Sequence, residues 1–246
     1  MTKTLILIPS RMAATRLPGK PLLKINNLSI ISHVFKRAEE ANIGEVVVAT
    51  EDQEILKDVL KNGGKAILTN ENHKTGTDRI FEAYKKLDIK NVDYILNLQG
   101  DEPDINKDDI INLNNFMINH DAELGTLAAK IQDNKMLNNK NVVKVVVENK
   151  LEENNFPKAL NFTRENLLTN NQNIYHHIGI YSYKRSVLEK FVSFDQTSNE
   201  KENKLEQLRA LDNKLKINVA LAKSSPIGID TEEDYMAIKK IMEYKI

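Results

Sequence analysis

The sequence predicts an α/β protein built on a largely parallel sheet, and two observations lead to that expectation. Short apolar runs recur at residues 5–8, 46–49, 66–68 and 94–98, the pattern of strands buried on both faces. Between them lie segments with apolar residues at helical spacing, so strands alternate with helices as they do in βαβ units.

Each element can be justified in order. The first helical segment puts Ile31, Val34, Phe35 and Ala38 on one face, and the second does the same with Ile55, Leu56 and Val59. The third carries Ile80, Tyr84 and Leu87, and the fourth Ile110, Leu113 and Met117. Further on, residues 127–131, 142–147 and 161–162 read as short strands, with two more at 178–183 and 217–221. Helices are expected over 205–211 and 235–242. Thr231 is a suitable N-cap for the last of these, with Asp234 three residues on as a capping-box acid. The polar stretches 134–141 and 149–156 read as loops. The whole of 1–246 is expected to form a single domain, with 125–173 as a projecting insertion.

Composition narrows the function. With 246 residues, 41% of them hydrophobic, the chain can bury a substantial core. Lys+Arg 35 against Asp+Glu 35 leaves no basic excess, which argues against nucleic acid as a partner. There is no cysteine, so disulfides, thiolate catalysis and Cys-ligated zinc are excluded. The apolar run at 5–8 is too short for a signal peptide or a membrane span, and no later run reaches membrane length. A cytoplasmic protein without membrane partners is the expectation.

The chemistry concentrates where strands end. After the first strand the chain reads Pro9-Ser10-Arg11-Met12-Ala13-Ala14-Thr15-Arg16-Leu17-Pro18-Gly19-Lys20-Pro21-Leu22. Open α/β sheets bind ligands at the carboxyl ends of their strands. Arg11, Arg16 and Lys20 supply charge for a polyphosphate, and Gly19 allows close backbone approach. The Walker spacing is absent, and a solvated basic loop is the plain alternative. The fourth strand ends in Asn97-Leu98-Gln99-Gly100-Asp101-Glu102-Pro103. A carboxylate at Asp101 suits Mg²⁺ beside a phosphate, although an Asp after a strand is also an ordinary turn residue. Asp230, before the last helix, is a second candidate ligand with the same ordinary alternative. Gly76-Thr77-Asp78-Arg79 opens a helix whose amides suit a base or a phosphate.

These segments occur in order with Asn161-Phe162-Thr163-Arg164, His177-Ile178-Gly179-Ile180-Tyr181, Leu205-Glu206-Gln207-Leu208-Arg209 and Gly228-Ile229-Asp230-Thr231. Together they resemble the 3-deoxy-manno-octulosonate (KDO) cytidylyltransferases, also called CMP-KDO synthetases, over almost the whole chain. The resemblance implies a Rossmann-like, three-layer mixed sheet of the nucleotide-diphospho-sugar transferase (glycosyltransferase-A-like) architecture. It implies a reaction in which CTP and KDO, an acidic eight-carbon sugar, give CMP-KDO and pyrophosphate with Mg²⁺, for lipopolysaccharide synthesis. It also implies a homodimer, with the 125–173 region supplying much of the interface.

Carried over by motif, Arg11 and Lys20 hold the triphosphate, with Lys20 nearer the α-phosphate. Asp101 and Asp230 hold Mg²⁺. Ala13, Arg16, Gly76 and Arg79 bind the nucleotide, and Gln99, Arg164, His177, Tyr181, Glu206 and Gln207 line the sugar-acid site. His177 is expected to orient hydroxyls or act on a proton, or else to be a packed, satisfied residue.

The chain departs from the family pattern at several positions. Ala14 stands where serine is common, and Glu165-Asn166-Leu167-Leu168 follows Arg164 without the usual Ile-Pro and downstream arginine. His176 occupies a frequent arginine position, and Asn203 replaces a glutamate. Because most of these changes lie on the sugar side, an 8-amino analogue of KDO stands as the alternative acceptor. Two further rivals are a sugar-phosphate nucleotidyltransferase and a non-catalytic nucleotide binder. The Arg164, His177 and Glu206-Gln207 order argues against the first, and the retained carboxylates Asp101 and Asp230 against the second.

Overall fold

A computed structural model describes residues 2–13, 16–166 and 173–244. The chain divides into two compact units, Met1–Ile110 with Pro226–Ile246, and Ile111–Ser225.

The first unit begins with β1 (Thr4–Ser10), whose residues are buried but for a half-exposed Pro9. A 3₁₀ turn at Lys20–Leu22 follows the long first loop. A hairpin of β2 (Lys24–Ile25) and β3 (Leu28–Ser29) comes next. Asn26 and Asn27 make its two-residue turn with φ of 46° and 63°, the left-handed pair that a tight hairpin requires. The sequence patterns above did not include this hairpin, because two-residue strands leave no periodicity to read. α1 (Ile30–Glu40) buries the predicted face of Ile31, Val34, Phe35 and Ala38. β4 (Gly44–Thr50), α2 (Gln53–Lys61), β5 (Ala66–Leu68), α3 (Gly76–Leu87) and β6 (Tyr94–Asn97) complete the alternation. β1 pairs in parallel with both β4 and β6, and β4 pairs in parallel with β5. The carboxyl ends of these strands therefore lie on one side. α4 (Lys107–Asn119) then carries the chain into the second unit.

The second unit is mixed. β7 (Leu124–Ala129) is buried along its whole length. α5 (Asn134–Asn138) forms where a loop was expected, because the Asp133 carboxylate accepts from the Met136 amide at 2.7 Å and caps it. β8 (Lys144–Val147), β9 (Ala159–Thr163) and β10 (Ile174–Lys184) follow. α6 (Arg185–Val192), α7 (Ser198–Asn203), α8 (Gln207–Asp212) and β11 (Ile217–Leu221) complete it. β7 lies between antiparallel β10 and parallel β11. The expected insertion at 125–173 does not coincide with either unit. Its first residue, Gly125, sits inside β7, where an added Cβ would lie 2.5 Å from Met117 Sδ and 2.8 Å from Phe156. Gly125 is thus part of the second unit's core.

The chain returns to the first unit through α9 (Glu232–Tyr244). Thr231 and Asp234 form the predicted capping box: Thr231 Oγ1 accepts from the Asp234 amide at 3.2 Å, and Asp234 Oδ2 accepts from the Thr231 amide at 2.9 Å. α9 buries Tyr235, Ile238 and Met242 against Leu17, Ile25, Ile30 and Ile229. This cluster ties the first loop to the end of the chain, and it positions the site described next.

Candidate active site

The described parts of the 9–22 loop, residues 9–13 and 16–22, are held at defined points. Gly19 has φ of 72°, a conformation glycine adopts without a side-chain penalty. Its amide donates to the Met12 carbonyl at 3.2 Å, and the Lys20 amide donates to the Leu17 carbonyl at 3.2 Å. Leu17 is buried in the cluster with Ile229. A residue in the loop and a residue beside Asp230 thus share one core. The Ile229 amide also donates to the Asp101 carbonyl at 3.0 Å, linking the turn after β6 to the segment before α9.

These constraints bring three charged side chains together. Lys20 Nζ donates to Asp101 Oδ2 at 2.7 Å, to the Ile229 carbonyl at 2.5 Å and to Asp230 Oδ1 at 3.4 Å. Arg16 lies 2.8 Å from the other oxygen of Asp230. The Lys20 side chain is 13% exposed, whereas Asp101 and Asp230 are 31% and 48% exposed. The ammonium is therefore held from the protein side, while both carboxylates keep an open face.

An open cavity of about 380 Å³ lies over this cluster. Arg11, Ala13, Arg16, Lys20 and Asp101 line it, as do Asp230, Gly76, Arg79 and Gln99. All the candidates assigned to the first unit therefore share one cavity. Ala14 lies outside the described residues. Thr75 caps α3 by accepting from the Asp78 amide at 3.2 Å, which aims the positive end of that helix at the cavity. Gly100 has a packing role, since an added Cβ would meet the Pro9 carbonyl at 2.9 Å.

Some lining residues act as supports. Arg79 is 3% exposed. Its guanidinium donates to Thr69 Oγ1 at 2.7 Å, to the Asn70 carbonyl at 3.3 Å and to Glu51. Glu82 accepts from the Asn70 amide and from His73, and Lys86 lies 2.6 Å from it. Burial pushes the Glu82 carboxyl upward, but Lys86, the Asn70 amide and His73 outweigh that and hold it at about 2. His73 and Lys74 both line the cavity, outside the motifs read from sequence. The signal that points to them is their place just past the carboxyl end of β5. Glu102 stands beside Asp101 in the 97–103 segment and carried no assigned role. It is buried, its Oε2 lacks a hydrogen-bond partner among the described residues, and burial followed by Asp101 raises it to about 8 against Lys20.

Apart from Gln99, which lies in the first unit, the second unit holds the candidates assigned to the sugar acid. The Arg164 guanidinium donates to the Lys140 and Asn141 carbonyls at 3.3 Å each. Buried Lys144 donates to the Arg164 carbonyl at 2.9 Å and to the Asn139 carbonyl at 2.7 Å. Leu167 and Leu168 lie outside the described residues. Tyr181 Oη is buried without a hydrogen-bond partner among the described residues. Burial, then Tyr183 and Glu206, keep its phenol protonated. Gln207 is buried at the start of α8, directly after Glu206. His176 donates to or accepts from Ser225 Oγ at 2.8 Å.

His177 is fully enclosed. Its Nε2 lies 3.0 Å from Thr126 Oγ1, which itself donates to the Ile180 carbonyl at 2.7 Å. With the hydroxyl proton committed there, the ring is the donor to Thr126. It packs edge-to-face with Phe162 and at a tilt against Tyr181, at centroid distances of 5.0 and 5.4 Å. Burial, with His176 adding a little, lowers its pKa to about 3. The structure contains a packed, hydrogen-bonded ring that burial keeps neutral.

Comparison with known proteins gives the family and the fold. The cytidylyltransferase family profile matches residues 5–217. A 3-deoxy-manno-octulosonate cytidylyltransferase of Rhodopseudomonas palustris (strain BisB18) is 43% identical over 244 residues, covering 99% of each chain. The enzyme of the same name from Afipia carboxidovorans is 44% identical over 240 residues, covering 97% of this chain and 96% of its own. A solved CMP:2-keto-3-deoxy-manno-octonic acid synthetase complexed with CTP superposes with a TM-score of 0.90 at 33% identity, covering 100% of both chains. A UDP-glucose pyrophosphorylase shares the fold alone, with a TM-score of 0.74 at 14% identity. With the sequence profile, the full-length relatives and the fold in agreement, this chain belongs to the 3-deoxy-manno-octulosonate cytidylyltransferase family.

Proposed function

We propose that this protein transfers the cytidylyl group of CTP to 3-deoxy-manno-octulosonate, releasing pyrophosphate and forming CMP-KDO for lipopolysaccharide synthesis. The observation that carries this reading is the meeting of Lys20, Asp101 and Asp230 at one end of a cavity that also presents Arg11, Arg16 and the start of α3.

The chemistry required is an in-line displacement. The anomeric hydroxyl of the sugar acid forms a bond to the α-phosphorus, the bond from that phosphorus to the bridging oxygen breaks, and pyrophosphate departs. Most of the acceleration in such a reaction comes from positioning and from charge stabilisation. Arg11 and Arg16 hold the triphosphate. The contact of Arg16 with Asp230 is a surface pair of small energetic value, and it yields readily to a phosphate. Lys20 is clamped by three oxygens and stabilises charge at the α-phosphate without reorganising.

Mg²⁺ fits this reading. Asp101 and Asp230 already converge on one cation, the Lys20 ammonium, and both retain an exposed face. Two carboxylates completed by phosphate oxygens and water form a usual Mg²⁺ environment. Bound there, the ion would neutralise phosphate charge and acidify the attacking hydroxyl. In the second unit, Arg164 suits the sugar carboxylate through its fork geometry. Gln99, Tyr181, Glu206, Gln207 and His177 are assigned to hydroxyl contacts, with His177 as a neutral hydrogen-bonding partner. A homodimer and a cytoplasmic location belong to the same reading; among the described residues no helix is long and apolar enough to cross a membrane.

A pyrophosphate-release assay tests it. CTP with KDO and Mg²⁺ should give turnover, and Asp101→Asn should abolish it. Equal rates with other nucleoside triphosphates, preference for 8-amino-KDO or sialic acid, or full activity of Asp101→Asn would each contradict the assignment. Light scattering of the purified protein tests the dimer.

A further inference from the structure

Asp52 occupies the N-cap position of α2, yet its carboxylate makes no hydrogen bond to the first turn of that helix. An N-cap aspartate usually accepts there from an amide of the first turn and stabilises its helix. Here Asp52 Oδ2 accepts from the backbone amide of Met12 at 2.7 Å, across 40 residues of chain. The Asp52 amide donates to Thr50 Oγ1 at 3.1 Å, which orients this turn at the carboxyl end of β4.

Met12 is the residue on which the phosphate loop closes. Its carbonyl accepts from Gly19 while its amide donates to Asp52. Both polar groups of one peptide position are thereby fixed from outside. Met12 is flanked by Arg11 and Ala13, which line the cavity, and Gly19 directly precedes Lys20. A carboxylate accepting from a backbone amide makes a short, charge-assisted bond, stronger than a neutral one. Its neighbour Glu51 binds Arg79, which also lines the cavity. Two consecutive residues directly after β4 therefore hold two parts of the cavity lining.

We propose that Asp52 is a positioning residue for the triphosphate: through the Met12 amide it pre-sets the loop that carries Arg11 and leads to Lys20. This rests on the CTP-dependent reading above. Asp52 touches no substrate in this role and acts through the loop backbone. Removing it makes CTP order the loop at the moment of binding, so affinity for CTP falls.

The test compares wild type, Asp52→Ala and Asp52→Asn. The asparagine keeps an acceptor oxygen and similar size, so it guards against a failure to fold. Backbone amide exchange at Met12 and Gly19, followed by NMR without substrate, should accelerate about tenfold or more in Asp52→Ala and less in Asp52→Asn. The CTP KM should rise about tenfold in Asp52→Ala, with the sugar-acid KM unchanged and with partial recovery in Asp52→Asn. Unchanged exchange at Met12 and Gly19 would overturn the inference, as would equal rises in both KM values. The exchange arm needs no CTP. Wild-type protein that fails to bind CTP would therefore sink the cytidylyl-transfer reading while Asp52 is still decided by exchange.

Discussion

Lys20 Nζ and Asp101 Oδ2 lie 2.7 Å apart across 81 residues of chain. The ion pair joins the loop after β1 to the turn after β6, the two strands being parallel neighbours. Its position makes Lys20 a donor held in place before any substrate arrives. Such preorganisation favours the transition state over the ground state. Lys20→Ala should therefore lower kcat by roughly 10²–10³-fold while raising the CTP KM far less. Steady-state kinetics in both substrates would check it, and a loss confined to KM would contradict the role.

Arg164 offers a separable prediction. Its guanidinium now donates to two backbone carbonyls and is partly exposed. Arg164→Ala should raise the sugar-acid KM about 10- to 100-fold, the value of a charge-assisted hydrogen bond, and leave CTP binding intact. Calorimetric titration with CTP alone supplies the control, and equal damage to both substrates would remove Arg164 from the sugar site.

Gly100 should not tolerate a side chain. A Cβ there would approach the Pro9 carbonyl at 2.9 Å and Ile31 Cδ1 at 3.1 Å. Gly100→Ala should cost about 1–3 kcal/mol through overpacking and displace Pro9 at the root of the phosphate loop. Urea unfolding and the CTP KM should both shift, and a variant identical to wild type in both would show that the backbone can yield.

In the second unit, Arg209 donates from Nε to Glu200 Oε2 at 2.8 Å and from an Nη to Oε1 at 2.6 Å. Both side chains are nearly fully buried, and the guanidinium lies 4.7 Å from the centroid of the Phe191 ring. Neutralising Glu200 takes a bidentate carboxylate away from a buried guanidinium. Glu200→Gln should destabilise by about 3–5 kcal/mol, measured by denaturant unfolding, whereas a loss below 1 kcal/mol would mean water reaches the pair.

His177 should leave a signature in the pH dependence of stability. Its folded pKa is about 3, below the unfolded value of 6.5. Between these values the unfolded chain binds the extra proton, so stability rises with pH across that window and is lost as pH falls below 6.5. The slope due to this ring approaches about 1.4 kcal/mol per pH unit. His177→Gln should remove that slope. The difference between variant and wild type isolates it from the opposite contribution of Glu102, whose carboxyl is raised to about 8. Parallel curves for the two proteins would mean that His177 is solvated.

Much of the first unit was legible because its physics is local. Runs such as 5–8 and 46–49 read as strands, since four consecutive apolar residues in so short a segment fit a strand buried on both faces. The Thr231–Asp234 capping box was legible because its partners sit three residues apart. α7 was not legible. It has no apolar stripe, and one of its residues, Glu200, is buried because Arg209 meets it there. The packing of Gly125 was not legible for a related reason, since only its contacts with Met117 and Phe156 reveal it as core.

The amino-acid sequence by itself determined the alternation of strands and helices, the placement of charge after β1 and β6, and the family to which these motifs belong. Tertiary structure alone decided that Asp230 reaches the Lys20–Asp101 pair, that Asp52 serves Met12 in preference to its own helix, and that His177 is neutral. The division follows from range. Periodicity and capping act over a few residues, whereas desolvation and ion pairing depend on which distant segments share a core, here Leu17 with Ile229.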